Sequence, residues 1–135
     1  MNNIEKLTKY AAAALTMHEA NPGHNLESNF NLKISPNPAF LKYITYNWAI
    51  PGAPVRYNAF KEGWALYSEY LGFEMGMYDD PYAKIGFYSG NLIRASRLVV
   101  DTGLHAFGWS RNRAIEYFAE NTLYPRSFAE SEIDR

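Results

Sequence analysis

The chain has 135 residues, with 13 Lys and Arg, 14 Asp and Glu, and no cysteine. This length allows one domain or part of one, and a formal charge of −1 offers no basic excess for binding nucleic acid or an anionic membrane surface. Without cysteine, disulfides and thiolate metal sites are excluded, so any metal ligand must be His, Asp or Glu. No apolar run approaches the roughly 20 residues that span a bilayer.

The first predicted helix covers Asn3–Ala20, a stretch rich in Ala and Leu without Gly or Pro. The Pro22-Gly23 pair ends it, because Pro disfavours helix in the preceding residue and Gly permits a sharp reversal. His24 is therefore expected on a turn, and residues 25–55 are expected to be mainly loop. Within them, Phe40–Ile50 fits a strand or a helix, and periodicity does not decide between the two.

Four further helices are predicted from their start and stop signals. The second covers Asn58–Leu71 and is closed by Gly72. The third covers Asp80–Phe107, with its Asp-Pro start serving as N-cap and first helical residue. The fourth covers Ser110–Asn121, and the last opens with a capping box at Ser127-Phe128-Ala129-Glu130. The predicted fold is mainly α, and the short last helix suggests part of a larger protein.

The sharpest motif is His18-Glu19-Ala20-Asn21-Pro22-Gly23-His24, in which two histidines six residues apart follow a predicted helix. In metalloproteases the HExxH motif places two His on one helical face, with the Glu beside the water that the metal activates. On an unbroken helix a spacing of six would leave the imidazoles about 120° apart. The Pro-Gly break can return His24 toward His18. The alternative is a histidine favoured by the helix dipole plus an unrelated surface histidine.

A catalytic zinc needs three protein ligands and an open position, so a third ligand is required. Glu62 and Glu69 are the candidates, because a spacing of seven places them on one face of the second predicted helix. Their surroundings are mostly apolar, and aligned carboxylates there are costly unless they are paired or bind a metal. The alternative is a solvated stripe with Lys61 as a neighbour.

A polar ladder lies on the long predicted helix, where Arg94, Arg97, Asp101 and His105 follow at spacings of three, four and four. These residues share one face of a helix that is otherwise apolar, which indicates a buried ion-pair chain or a site. Arg97 and Asp101 form an i, i+4 pair and are expected to have a structural role. His105, at the end of the ladder, is the better candidate to face a reacting group.

Three blocks in this order resemble the signature blocks of domain-of-unknown-function family 885. They are His-Glu-Ala-Asn-Pro-Gly-His, then Glu-Gly-Trp-Ala-Leu-Tyr-Ser-Glu, then Arg-Leu-Val-Val-Asp-Thr-Gly-Leu-His-Ala-Phe-Gly-Trp. The stretch Arg111–Thr122 is similar to the next segment of that family, so the resemblance covers most of the chain from His18 onward. Family members usually carry a second His where this sequence has Asn25.

This resemblance implies a mainly helical, zincin-like metallopeptidase fold. Residues 1–135 would then be a single C-terminal, catalytic-type portion of a larger helical domain. Carried over by position, His18, His24 and Glu62 would be the ligands of one zinc ion, and Glu19 would be the general base.

The leading hypothesis is therefore zinc-dependent hydrolysis of a peptide or peptide-like substrate. In that hypothesis His105 or Arg94 stabilises the oxyanion or binds a substrate carboxylate. A supporting layer behind the ligands orients a His ligand or an Arg partner, and it consists of Glu69, Arg97 and Asp101. One alternative is a non-catalytic helical domain in which the same residues form a buried polar network. Another is a metal-dependent hydrolase acting on a different substrate.

Overall fold

The computed structural model of the chain describes residues 9–33, 36 and 58–135. These residues are mainly α-helical, and no strand occurs among them, which confirms the prediction of a mainly α fold. Within the described ranges, a short 3-10 turn at Lys9–Ala11 precedes six helices. They are α1 Ala12–Glu19, α2 His24–Lys33, α3 Asn58–Glu74, α4 Pro81–His105, α5 Arg111–Asn121 and α6 Arg126–Ile133. The beginning of the first predicted helix, residues 3–8, and the ambiguous segment 40–50 lie outside the described residues.

Two predicted helix starts are confirmed by their capping contacts. The carboxylate of Asp80 accepts hydrogen bonds from the backbone N–H groups of Tyr82 and Ala83 at 2.6 and 3.0 Å, so α4 begins as expected. The hydroxyl of Ser110 accepts from the N–H of Arg113 at 3.2 Å, which caps α5. In both cases a side-chain oxygen satisfies an amide that has no partner within its helix.

Two boundaries of the predicted elements are wrong. His24 begins helix α2 rather than lying on a turn, because no Gly or Pro interrupts the chain between His24 and Lys33. Helix α3 continues past Gly72 to Glu74, and the left-handed conformation (φ = 70°) that ends it belongs to Gly76. Gly72 instead lies inside the helix, where an added Cβ would be 2.6 Å from the ring of Tyr78. Gly72 therefore allows the Tyr78 ring to pack closely against the helix and does not end it.

The predicted capping box at Ser127–Glu130 is also wrong. Helix α6 begins at Arg126, and its N-cap is Pro125, which lies two residues before Ser127 and makes no side-chain capping bond. Pro125 has an extended backbone (φ = −67°, ψ = 157°), and its fixed φ suits a residue at the edge of a helix. Proline therefore sets the helix start where a hydroxyl cap was expected.

The described chain divides into two compact units. The first unit is residues 12–83 and the second is residues 9–11 with 84–135. In the first unit, α3 packs against both α1 and α2. Its buried side chains include Met17, Ala65 and Tyr78, together with the polar residues Ser68 and Glu69. Polar groups are costly inside a small core unless they are hydrogen-bonded, so this unit is where a site is expected.

The second unit has a conventional apolar core. It is built where α5 and α6 pack together against part of α4. The buried members are Ile93, Val100, Ala114, Ile115, Phe118 and Ala129. None of the helices within the described ranges is long and apolar enough to cross a membrane.

Candidate metal centre

Three predicted metal ligands come together in the first unit. His18, His24 and Glu62 each offer one ligand atom, and these atoms lie within 4.8 Å of one another. Oε2 of Glu62 is 3.4 Å from Nε2 of His18 and 3.7 Å from Nε2 of His24. The two imidazole rings meet edge to face, with centroids 4.7 Å apart. The two histidines therefore converge on one carboxylate despite their spacing of six.

A reversal after α1 returns the second histidine to the first. The backbone carbonyl of Pro22 accepts a hydrogen bond from the indole N–H of Trp64 at 2.8 Å, and the hydroxyl of Ser68 lies 3.2 Å from the same oxygen. Trp64 and Ser68 are one turn apart on α3, the helix that also carries Glu62. The helix bearing the carboxylate thus fixes the turn that presents His24.

Gly23 permits this tight reversal. An added Cβ at Gly23 would be 1.8 Å from the carbonyl oxygen of His18 and 2.4 Å from that of Met17. No side chain fits at such distances, so the chain can pass over the end of α1 only with glycine at this position. The backbone leading into α2 then lies directly against the residue that offers the first ligand.

A buried carboxylate supports His18 from behind. Oε1 of Glu69 lies 2.6 Å from Nδ1 of His18, and the side chain of Glu69 is only 2 % exposed. An ionised carboxylate can only accept a hydrogen bond, so Nδ1 of His18 carries the proton and donates it. The lone pair of Nε2 therefore points toward Glu62 and is available to a metal.

Tyr78 closes the buried side of this arrangement. Its hydroxyl donates to the backbone carbonyl of Glu69 at 2.7 Å. Burial, reinforced by the negative charge of Glu69, raises the pKa of Tyr78 from 10.0 to about 12. The tyrosine is thus held as a neutral donor beneath the helix turn that carries Glu69.

The opposite side of the cluster faces solvent. The side chain of Glu62 is 61 % exposed and that of His24 is 25 % exposed, whereas that of His18 is 10 % exposed. One edge of the three-ligand set is therefore buried, and the other is accessible. Accessibility on one side is what a catalytic metal site needs for its open coordination position.

A comparison with protein families identifies the family of this chain. The family model described as "Bacterial protein of unknown function (DUF885)" matches residues 1–135. The chain belongs to this family. The family description states no function, so the arrangement of side chains carries the functional argument.

A solved structure is similar to this DUF885 chain along most of its length. The crystal structure of the putative lipoprotein from Colwellia psychrerythraea is 42% identical, with a TM-score of 0.80. The similarity covers 94% of the present chain and 20% of that protein, so this chain spans about a fifth of the length of that relative. No curated protein matches the chain.

The remaining site candidates of the DUF885 chain lie in three places. Glu19 is the exposed last residue of α1 and directly follows His18. Glu69 is part of the first unit, as described above. The polar ladder of Arg94, Arg97, Asp101 and His105 lies on the part of α4 that belongs to the second unit.

Within the ladder, the expected pairing of Arg97 with Asp101 is wrong. Arg97 instead donates from Nε and Nη2 to Oε2 of Glu132 on α6, both at 2.5 Å. Asp101 lies 3.7 Å from Nε2 of His105, and both of these side chains are mostly exposed. The ladder is therefore not one buried ion-pair chain. Asp101 and His105 face solvent, and Arg97 forms a contact between α4 and α6.

Three residues that hold the site were not singled out by the sequence. Trp64 and Ser68 bond to a backbone carbonyl, and Tyr78 bonds to another one nine residues earlier. The only available signal was the spacing of Trp64 and Ser68, which places an indole and a hydroxyl on one helical face. Nothing in a side-chain pattern identifies which carbonyl they reach.

Proposed function

We propose that this chain provides the zinc site of a hydrolase that cleaves peptide or peptide-like amides. The observation that carries the proposal is the convergence of His18, His24 and Glu62, whose ligand atoms lie within 4.8 Å of one another. The sequence blocks imply a zincin-like fold, and this ligand set agrees with it. We therefore include the zincin-like fold in the proposal.

The donor set fits zinc better than the alkaline-earth ions. Two imidazoles and one carboxylate give three protein ligands, which is the usual number at catalytic zinc sites. Calcium and magnesium prefer sites made of oxygen ligands, whereas imidazole suits zinc and neighbouring transition metals. The carboxylate of Glu69 behind His18 is the kind of partner that metal-bound histidines commonly have.

Zinc in this position would polarise the scissile carbonyl and lower the pKa of a bound water toward about 7. Glu69 would keep the Nδ1 proton of His18 in place and so hold Nε2 as a ligand throughout the reaction. Glu19, adjacent to His18, is proposed as the general base that takes the proton of the attacking water and passes it to the leaving amine.

The two other catalytic candidates from the sequence, His105 and Arg94, belong to the second unit. Both donate hydrogen bonds, the property for which the sequence nominated either of them to stabilise an oxyanion or bind a substrate carboxylate. His105 is exposed and Arg94 is half-buried. Asp101, 3.7 Å from His105, is proposed to orient it. Arg97 has a supporting role through its pairing with Glu132.

The test is Glu19→Gln, assayed for zinc content and for cleavage of a panel of fluorogenic peptides. The amide keeps the shape of the side chain but cannot accept the water proton, so the variant is expected to bind zinc normally. Its activity should fall by about 10² to 10⁴-fold. Glu116→Gln is a matched control, because Glu116 is an exposed acidic residue on α5. Activity retained in Glu19→Gln would remove Glu19 from its proposed role.

One observation favours a second candidate, a structural polar network without catalysis. Glu62 lies close enough to both histidines to form ion pairs if they are protonated, and Glu69 already bonds to His18. These contacts link α1, α2 and α3 without an ion. In that case added zinc would not change the melting temperature, and no peptide of the panel would be cleaved. Measuring zinc binding separates the two candidates.

A further inference from the structure

A second ion pair joins the helices that carry the proposed ligands. Oε2 of Glu27 on α2 lies 3.9 Å from Nζ of Lys61 on α3. The side chain of Glu27 is only 4 % exposed, and its other polar contact is the Ser28 hydroxyl, which donates to Oε2 at 3.4 Å. A buried carboxylate is costly unless it is paired, so Lys61 is a necessary partner.

The pair lies beside two of the three ligands. Glu27 is three residues after His24, and residues at this spacing share one helical face. Lys61 immediately precedes Glu62 on α3. The same two helices are therefore linked twice, by Glu27 with Lys61 and by His24 with Glu62 at 3.7 Å.

The pair also sets the direction of the Lys61 side chain. Lys61 is adjacent in sequence to Glu62, but neighbouring residues on a helix do not face each other, and the ammonium of Lys61 lies near Glu27. Glu62 is mostly exposed and has no other basic partner among the described residues besides the two histidines. Engagement with Glu27 keeps Lys61 on the side of α3 that faces α2.

We propose that Glu27 and Lys61 form a positioning pair that sets the approach of His24 to Glu62 and so determines zinc affinity. The proposal rests on the proposed zinc function. Zinc requires its nitrogen and oxygen ligands at about 2.0 to 2.2 Å, so a small displacement of α2 along α3 would spoil the site. The pair holds the two helices in register before the metal arrives.

The experiment measures the zinc dissociation constant of the chain against a competing chelator for Glu27→Gln, Lys61→Gln and the double variant. Each single variant is expected to bind zinc about 10 to 100-fold more weakly, as is common when support behind a metal ligand is lost. The double variant should lose no more than the worse single one, because both remove the same link. Lys61→Arg keeps the charge and should bind zinc nearly as the wild type does.

Two measurements distinguish positioning from general destabilisation. Lys33→Gln on α2 and Glu74→Gln on α3 remove exposed charges from the same helices and should leave zinc affinity unchanged. Cobalt(II) substituted for zinc reports ligand geometry, so its visible d–d absorption should change in Glu27→Gln but not in the controls. A variant that lowers the melting temperature of the metal-free chain yet keeps the wild-type zinc affinity and cobalt spectrum would overturn the proposal.

Different experimental results would overturn the positioning pair and the zinc site. If the wild type binds zinc and both single variants bind it with the same affinity, the positioning pair alone is overturned and the zinc site is kept. A folded wild-type chain that binds no zinc overturns both. Should Glu27→Gln not fold, Lys61→Gln carries the test, with Lys61→Arg as the control that keeps the charge. Zinc binding that is weaker in Lys61→Gln than in Lys61→Arg is expected, and equal zinc affinity in these two variants and the wild type would overturn the positioning pair.

Discussion

The imidazole of His18 donates from Nδ1 to the buried carboxylate of Glu69 across 2.6 Å. This bond joins α1 to α3 and fixes the histidine tautomer with Nε2 directed at Glu62, which lies 3.4 Å away. Glu69 and Glu62 are seven residues apart on one helix face. One helix thus supplies both the partner behind His18 and the carboxylate in front of it.

Replacing Glu69 by Gln tests this relationship. The amide has nearly the same shape but no charge, so His18 would be less basic and less well oriented. Zinc affinity is expected to fall by about 10 to 100-fold. Titration with a chelator of known affinity measures the change, with Glu74→Gln as the matched control on the same helix. A dissociation constant within twofold of the wild type would show that Glu69 does not support a ligand.

Gly23→Ala tests the reversal between the two histidines. The new methyl group would be 1.8 Å from the carbonyl oxygen of His18, so the backbone entering α2 must move. We expect a clear loss of thermal stability together with weaker zinc binding, because His24 moves with α2. The control is Gly63→Ala, where nothing lies within 4 Å of the added carbon. That helical substitution should stabilise the chain by about 0.5 to 1 kcal/mol. Equal behaviour of the two variants would contradict the account.

Tyr78 predicts a specific alkaline response. Burial and the negative charge of Glu69 raise its pKa from the ordinary value of 10.0 to about 12 in the folded chain. The unfolded chain therefore releases the Tyr78 proton more readily than the folded chain does. The stabilising contribution is complete below pH 10 and is lost as the pH rises toward 12. Its size is on the order of 2 to 3 kcal/mol.

Urea unfolding at several pH values measures this contribution in the wild type and in Tyr78→Phe. At neutral pH the variant should be less stable by about 1 kcal/mol because it lacks the hydrogen bond. Between pH 10 and pH 12 the wild type should lose stability relative to the variant, so the difference between the two free energies of unfolding should fall and change sign. Tyr82→Phe, at an exposed tyrosine, serves as control. A difference that stays constant over this pH range would show that Tyr78 ionises equally in the folded and unfolded chain.

The sequence predicted the parts of the site that depend on local rules. The Pro22-Gly23 break allowed His24 to return toward His18, and the spacing of Glu62 and Glu69 made both of them candidates; the choice of Glu62 as the ligand came from the family resemblance. Likewise, Asp80 and Ser110 cap their helices because a short polar side chain before a helix binds amides only two or three residues away.

These local rules did not predict contacts between residues that are far apart in the sequence. Spacing paired Arg97 with Asp101, but the guanidinium binds Glu132, which is 35 residues away and becomes a neighbour only when α6 packs in the second unit. Helix α2 was missed because its polar residues carry no strong apolar period. The anchoring of Pro22 by Trp64 was also missed, since a backbone carbonyl leaves no trace in a side-chain pattern.

The most direct test of the central claim is the zinc content of the purified, folded chain, measured by inductively coupled plasma mass spectrometry. Wild type is compared with His18→Ala, and with His105→Ala as a histidine control from outside the cluster. Circular dichroism verifies that each sample is helical. We expect about one zinc per chain in wild type and His105→Ala and almost none in His18→Ala. A folded wild-type chain without zinc after exposure to the metal, or equal zinc in all three, would contradict it.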